Sequence, residues 1–204
     1  MNPFDYIFQP ANSPASRHLL LLHGTGGDEN DMLPIGQHLL PGAAILSPRG
    51  KISENGAPRF FRRFGPGQLD VNDWKFRSGE LADFLDQQDE KRELDPALRV
   101  AAGYSNGANI AQGLLLLRPE SIGAAVLFRP MFVTDDVPNT DLEGRRVLVL
   151  SGTADPLRHP ADPDRLVRLL LDRGARVDSH LLPAGHELTP ADIDIAHDWI
   201  ASLT

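Results

Sequence analysis

The chain has 204 residues, enough for one α/β domain with a sizeable core and too few for two such domains. Its formal net charge of −8 opposes attraction to nucleic-acid phosphates and to anionic membrane surfaces, so neither is an expected partner. The sequence has no cysteine, which excludes disulfides, thiolate metal sites and a cysteine nucleophile, and leaves covalent chemistry to Ser, Thr, Lys, Asp or His.

The first ten residues carry no Lys or Arg and no sustained apolar run, and no segment approaches the ~18 apolar residues of a spanning helix. A standard secretion signal and membrane insertion are therefore not expected, and the lack of cysteine allows a cytoplasmic location. Residues 4–8 are expected as an edge strand, followed by an irregular connection over 10–16. Residues 17–22 form an apolar run stopped by His23-Gly24-Thr25-Gly26-Gly27, the pattern of a strand buried on both faces. Similar runs recur at 42–46, 99–103, 124–128, 146–150 and 177–182. Between most of them lie segments of helical length and period, at 31–40, 73–94, 106–117 and 163–173.

A last helix opens on Thr189 as N-cap, with Pro190 at its first position and Asp192 near the positive end of its dipole, and should reach about Leu203. Residues 48–71 show neither period and read as one long surface loop. Alternation of strand and helix predicts one domain over residues 1–204, a mostly parallel sheet with helices on both faces, because each parallel crossover needs a dozen or more residues. Ligands then sit at the carboxyl ends of the strands.

At one such end, Gly103-Tyr104-Ser105-Asn106-Gly107 fits G-x-S-x-G, with a strand leading in and a helix leading out. A serine hydroxyl is a weak nucleophile and needs a base within reach, plus a third group to orient that base. Of seven histidines, His18 and His180 fall in strand runs and His38 and His197 in helical segments, leaving His23, His159 and His186. His186 follows the last strand, where the order Ser, Asp, His places the base, and Asp155 in Gly152-Thr-Ala-Asp155-Pro follows the preceding strand. A plain Asp-Pro turn is the alternative for Asp155, with Asp135 and Asp136 as competing acids.

The glycines of His23-Gly-Thr-Gly-Gly27 free backbone N–H groups for an anion, but neither a Walker lysine nor the third glycine of a dinucleotide fingerprint is present. An oxyanion site built from the Thr25 and Asn106 N–H groups remains, with His23 bracing the loop, and a plain turn between strand and helix is the alternative. Phe60, Phe61, Trp74 and Met131 are candidates to line a substrate pocket, with core packing as the alternative. Arg59, Arg62 and Arg63 read as a solvated loop face, with attraction of an acidic substrate or a partner chain as the other possibility.

Taken together, Leu-Leu-His23-Gly-Thr-Gly-Gly27, Gly103-Tyr-Ser-Asn-Gly107, Gly152-Thr-Ala-Asp155-Pro and Gly185-His186-Glu187 resemble, in order and spacing, the phospholipase/carboxylesterase family of α/β hydrolases, which includes acyl-protein thioesterases. Asn106 and Ala108 stand where the thioesterase branch usually has Gln and Gly, so the chain looks more like a subgroup of small bacterial hydrolases. The resemblance implies an α/β-hydrolase fold and a Ser105, His186, Asp155 triad acting on a small-molecule ester without metal or organic cofactor. It also implies a possible homodimer. The short connection over 128–145 leaves no room for a cap domain. Thioester hydrolysis, acyl transfer to an acceptor other than water, and a non-catalytic ligand receptor on the same fold are the alternatives.

Overall fold

The computed structural model describes residues 4–12, 17–65 and 67–203, so part of the connection expected over 10–16 lies outside the described residues. Among the described residues the strands are β1 (Tyr6–Gln9), β2 (His18–Leu22), β3 (Ile45–Pro48), β4 (Ile52–Glu54), β5 (Ala57–Arg59), β6 (Arg63–Gly65), β7 (Gln68–Leu69), β8 (Arg99–Tyr104), β9 (Ala124–Phe128), β10 (Arg146–Gly152) and β11 (Arg176–Leu182). The helices are α1 (Leu33–Leu39), α2 (Val71–Arg92), α3 (Asn106–Leu117), α4 (Asp162–Leu171) and α5 (Pro190–Ala201).

Seven strands form one sheet in the order β1-β3-β2-β8-β9-β10-β11. All neighbours are parallel except β1, which runs antiparallel along β3 with Tyr6 opposite Pro48. Alternation along the central strands explains why they read as unbroken apolar runs. In β2, Leu20 and Leu22 enter one core while Leu19 and Leu21 enter the other. In β10, Val147 and Val149 face the first core, and Leu148 and Leu150 the second. Residues of α2, α3 and α4 fill the first core, and residues of α1 and α5 the second. This is the mostly parallel α/β architecture expected from the alternation of runs.

From β2 the chain moves to β3 on one side and later to β8 on the other, so the carboxyl ends of β2 and β8 diverge into a crevice at a topological switch point. Residues 129–145, between β9 and β10, contain neither helix nor strand. Nothing in that connection builds a cap.

The stretch 48–71 differs from the single irregular loop expected of it. It holds two hairpins, β4–β5 and β6–β7. Their strands have two or three residues each, too short to establish a period of two. The signal that marks the first hairpin is its turn: Asn55 (φ 53°) and Gly56 (φ 87°) both lie in the left-handed region, as an Asn-Gly hairpin turn of the primed type requires. The strand β11 is also less buried than its run of Val and Leu suggests, because it forms the sheet edge and leaves Leu181 exposed.

Candidate active site

Ser105 sits between the end of β8 and the start of α3 with φ 53° and ψ −111°, a conformation that L-residues rarely adopt. Its amide donates to Phe128 O at 2.9 Å, and its carbonyl accepts from Asn109 N at 3.0 Å, so both flanks of the bend are pinned. The glycines of the motif are steric requirements. A Cβ on Gly103 would stand 2.4 Å from Gly107 O, and one on Gly107 would stand 1.9 Å from Leu22 O. Only bare backbone lets β8, the first turn of α3 and the end of β2 approach so closely.

Asp155 and His186 meet this serine from the loops that follow β10 and β11. His186 Nε2 is 2.9 Å from Ser105 Oγ, and its Nδ1 is 2.8 Å from Asp155 Oδ2. Asp155 Oδ1 accepts from Leu157 N at 2.9 Å, and the Asp155 side chain is fully buried while that of His186 is partly open. The two loops are tied together by Thr153 N donating to Leu182 O at 2.8 Å and Ala154 N donating to Ala184 O at 3.0 Å. With Nδ1–H directed at a carboxylate, Nε2 is left to accept the serine proton. The competing acids face elsewhere: Asp136 pairs with Lys75 at 2.8 Å and Asp135 with Arg165 at 3.8 Å, both on the exposed surface.

Thr25 follows β2, and Asn106 opens α3 beside the serine, both lining the same cavity as Ser105 and His186. Among the described residues neither backbone N–H donates to a protein acceptor, so both are available to an oxyanion at the helix N-terminus. The Asn106 side chain is committed to structure, its Oδ1 accepting from Phe60 N at 2.7 Å. His23 braces the loop as expected: its Nδ1 donates to Gly24 O at 2.6 Å, and its Nε2 accepts from Gly50 N at 2.9 Å. Burial lowers its pKa, which keeps the ring neutral in that role.

The cavity has a volume of about 620 Å³, within the range of small-molecule sites. Met131 lines it, together with Leu69, Leu157 and Tyr104. Phe60, Phe61 and Trp74 do not. They lie in the core between the sheet and α2 and α3, where Trp74 Nε1 donates to Asn109 O at 2.7 Å. The arginine cluster is likewise split rather than uniformly solvated: Arg62 is exposed and pairs with Asp70 and Asp73, Arg59 is buried, and Arg59 and Arg63 line the cavity.

Arg129, which no local pattern marks, is fully buried just after β9 with φ 52°. It holds Asp192 through two bonds, Nη1 to Oδ1 at 2.6 Å and Nη2 to Oδ2 at 2.7 Å. It also donates to Gly185 O at 3.0 Å and Glu187 O at 3.0 Å, the carbonyls on either side of His186. Burial pushes the Asp192 carboxyl up, but hydrogen bonds from Arg129 and Thr189 outweigh it and hold the pKa below the usual range. Tyr104 adds a further tie, its hydroxyl donating to His186 O at 3.1 Å.

No protein-family model matches the chain. Over 181 residues it is 39% identical to MhqD of Bacillus subtilis, a curated protein bearing the name of a hydrolase, with 89% of this chain and 90% of that one covered. A carboxylesterase of Bacillus cereus superposes with a TM-score of 0.94 at 39% identity, covering 97% of this chain and 93% of that one. A carboxylesterase of Mesorhizobium loti does so with a TM-score of 0.92 at 34% identity, covering 98% and 95%. Sequence likeness at this level over nearly the whole length, on a shared architecture, places the chain in the phospholipase/carboxylesterase family of α/β hydrolases.

Proposed function

We propose that this protein is a serine carboxylesterase that cleaves small carboxylic esters through an acyl-enzyme. The observation that carries this reading is the continuous hydrogen-bonded line from Ser105 Oγ through both nitrogens of His186 to the buried Asp155 carboxylate, at 2.9 and 2.8 Å. Ser105 Oγ attacks the ester carbonyl while His186 Nε2 takes its proton. The Thr25 and Asn106 N–H groups receive the negative charge that develops on the carbonyl oxygen, a contribution that in related chemistry amounts to about 3 kcal/mol per donor. Collapse breaks the bond to the alcohol oxygen, and His186 returns the proton to the departing alcohol. Water, deprotonated by the same imidazole, then attacks the acyl-enzyme, and the carboxylic acid leaves as Ser105 recovers its proton. Asp155 holds the ring in the Nδ1–H tautomer and stabilises the imidazolium without itself accepting the proton.

The test is intact-mass spectrometry after incubation with a fluorophosphonate, with peptide mapping and a Ser105→Ala control. A single adduct on Ser105, absent from the variant, together with Ser105-dependent hydrolysis of p-nitrophenyl acetate, is the expected result. A folded protein that takes up no adduct and hydrolyses no ester refutes the reading.

A further inference from the structure

We propose that the cavity selects esters that carry a free carboxylate besides the scissile bond, and that Arg59 and Arg63 receive it; this rests on the esterase reading above. Arg59 is buried, its side chain 3% exposed, where a guanidinium is costly unless its charge is used. Its Nε donates to Phe61 O at 3.1 Å and stands 3.3 Å from Glu54, and its Nη1 bonds Thr25 Oγ1 on the loop beside the serine. Arg63 grips the same Glu54 with Nε at 3.0 Å and Nη2 at 2.7 Å. Among the described residues Arg59 Nη2 and Arg63 Nη1 donate to nothing.

One carboxylate is thus shared by two guanidinium groups, which leaves one net positive charge on the wall. No acidic side chain lines the cavity among the described residues. That balance suits a single carboxylate better than a doubly charged phosphate. Burial, and after it the neighbouring charge of Arg63, lower the Arg59 pKa from its ordinary value, and an anion between the two would relieve that repulsion. The overall charge of −8 does not cancel the local field, because exposed charges beyond roughly 8 Å are largely screened at physiological ionic strength. Leu69, Met131 and Leu157 supply an apolar surface for the carbon chain joining ester and carboxylate.

The experiment compares kcat/KM in two matched pairs, followed by titration of released acid. Monomethyl glutarate against methyl pentanoate puts the carboxylate on the acyl side, and 4-acetoxybutyrate against butyl acetate puts it on the alcohol side. The expected result is a preference of at least tenfold for the anionic ester in one pair, weakening as salt is raised. Glu54→Gln, which leaves both guanidinium groups unpaired, should raise that preference several-fold, and Arg63→Gln should lower it at least fivefold. Should Arg63→Gln fail to fold, Glu54→Gln and the salt dependence decide. Calorimetric titration of Ser105→Ala with the two acyl-side esters reads the same preference without turnover. Parity in both pairs, or a preference that none of these changes moves, overturns the proposal while Ser105-dependent hydrolysis of the neutral esters leaves the esterase reading standing. Tight binding of the half-ester to Ser105→Ala with no hydrolysis by the unmodified protein would instead sink the esterase reading and keep the carboxylate site.

Discussion

Replacing Arg129 by Met removes one half of a fully buried ion pair and, with it, the tether on the two carbonyls that flank His186. Breaking such a pair from one side leaves the other charge uncompensated and typically costs about 3–5 kcal/mol. For a chain of this length each kcal/mol moves the melting temperature by about 2–4 °C, so Arg129→Met should melt roughly 6–20 °C lower. Replacing both partners by apolar residues relieves the stranded charge, and Arg129→Met/Asp192→Leu should regain most of the loss. It retains a deficit of about 1 kcal/mol, because Asp192 also completes the capping box with Thr189. Catalysis separates the two roles. The double variant still lacks the tether, and a displacement of about 1 Å can cost on the order of a hundredfold in rate. The assay is thermal unfolding alongside kcat for p-nitrophenyl acetate at saturation, at a temperature where every variant is folded. Recovery of both melting temperature and kcat in the double variant would show that Arg129 serves stability alone, and a single variant that melts within 3 °C of the parent would refute the ion-pair argument itself.

Asp155→Asn should leave the fold intact and cut kcat on the order of ten-thousand-fold by favouring the wrong His186 tautomer, read from the initial rate of ester hydrolysis. If Asp136→Asn produced that loss instead, the acid would be misassigned. Gly107→Ala should disrupt the bend at Ser105, because the added methyl would fall 1.9 Å from Leu22 O; loss of fluorophosphonate labelling in a protein with native far-ultraviolet circular dichroism is the readout. His18 is a pH probe. Burial, followed by the charge of Arg99, lowers its pKa from 6.5 to about 4, so the folded state binds its proton less well than the unfolded chain does. Its contribution is complete above pH 6.5, falls as pH drops toward 4 and is then spent, a loss on the order of 3 kcal/mol. His18→Gln should flatten that part of the stability profile, and an unchanged profile would show that His18 is not the group responsible.

The central sheet was legible because burial on both faces writes itself into the sequence as an uninterrupted apolar run, as in Leu19 to Leu22. The meeting of Ser105, Asp155 and His186 was legible because each follows a strand, β8 and β10 being such runs and β11 the more polar edge strand, and parallel strand ends converge on one edge whatever the loop details. The wall of the cavity was not. Its parts come from hairpins too short to show a period, and an aromatic near a strand end gives no local sign of facing the cavity or the core, which is why Met131 reached the cavity and Phe60, Phe61 and Trp74 did not. Arg129 left no sign either. Its partner Asp192 is 63 positions away and has a sufficient local explanation in the first turn of a helix.

The two hairpins divide the cavity wall into parts of different tolerance. Arg59, Phe60 and Phe61 are anchored to Thr25, Asn106 and the core, whereas the tips at Gly56 (φ 87°) and Gly67 (φ 72°) face open space among the described residues. Residues inserted at the tips, with the two left-handed glycines kept, can therefore lengthen the hairpins while the rows beneath them stay fixed. Selection, natural or directed, has in these tips a way to reshape what is admitted to the serine without disturbing how it is attacked.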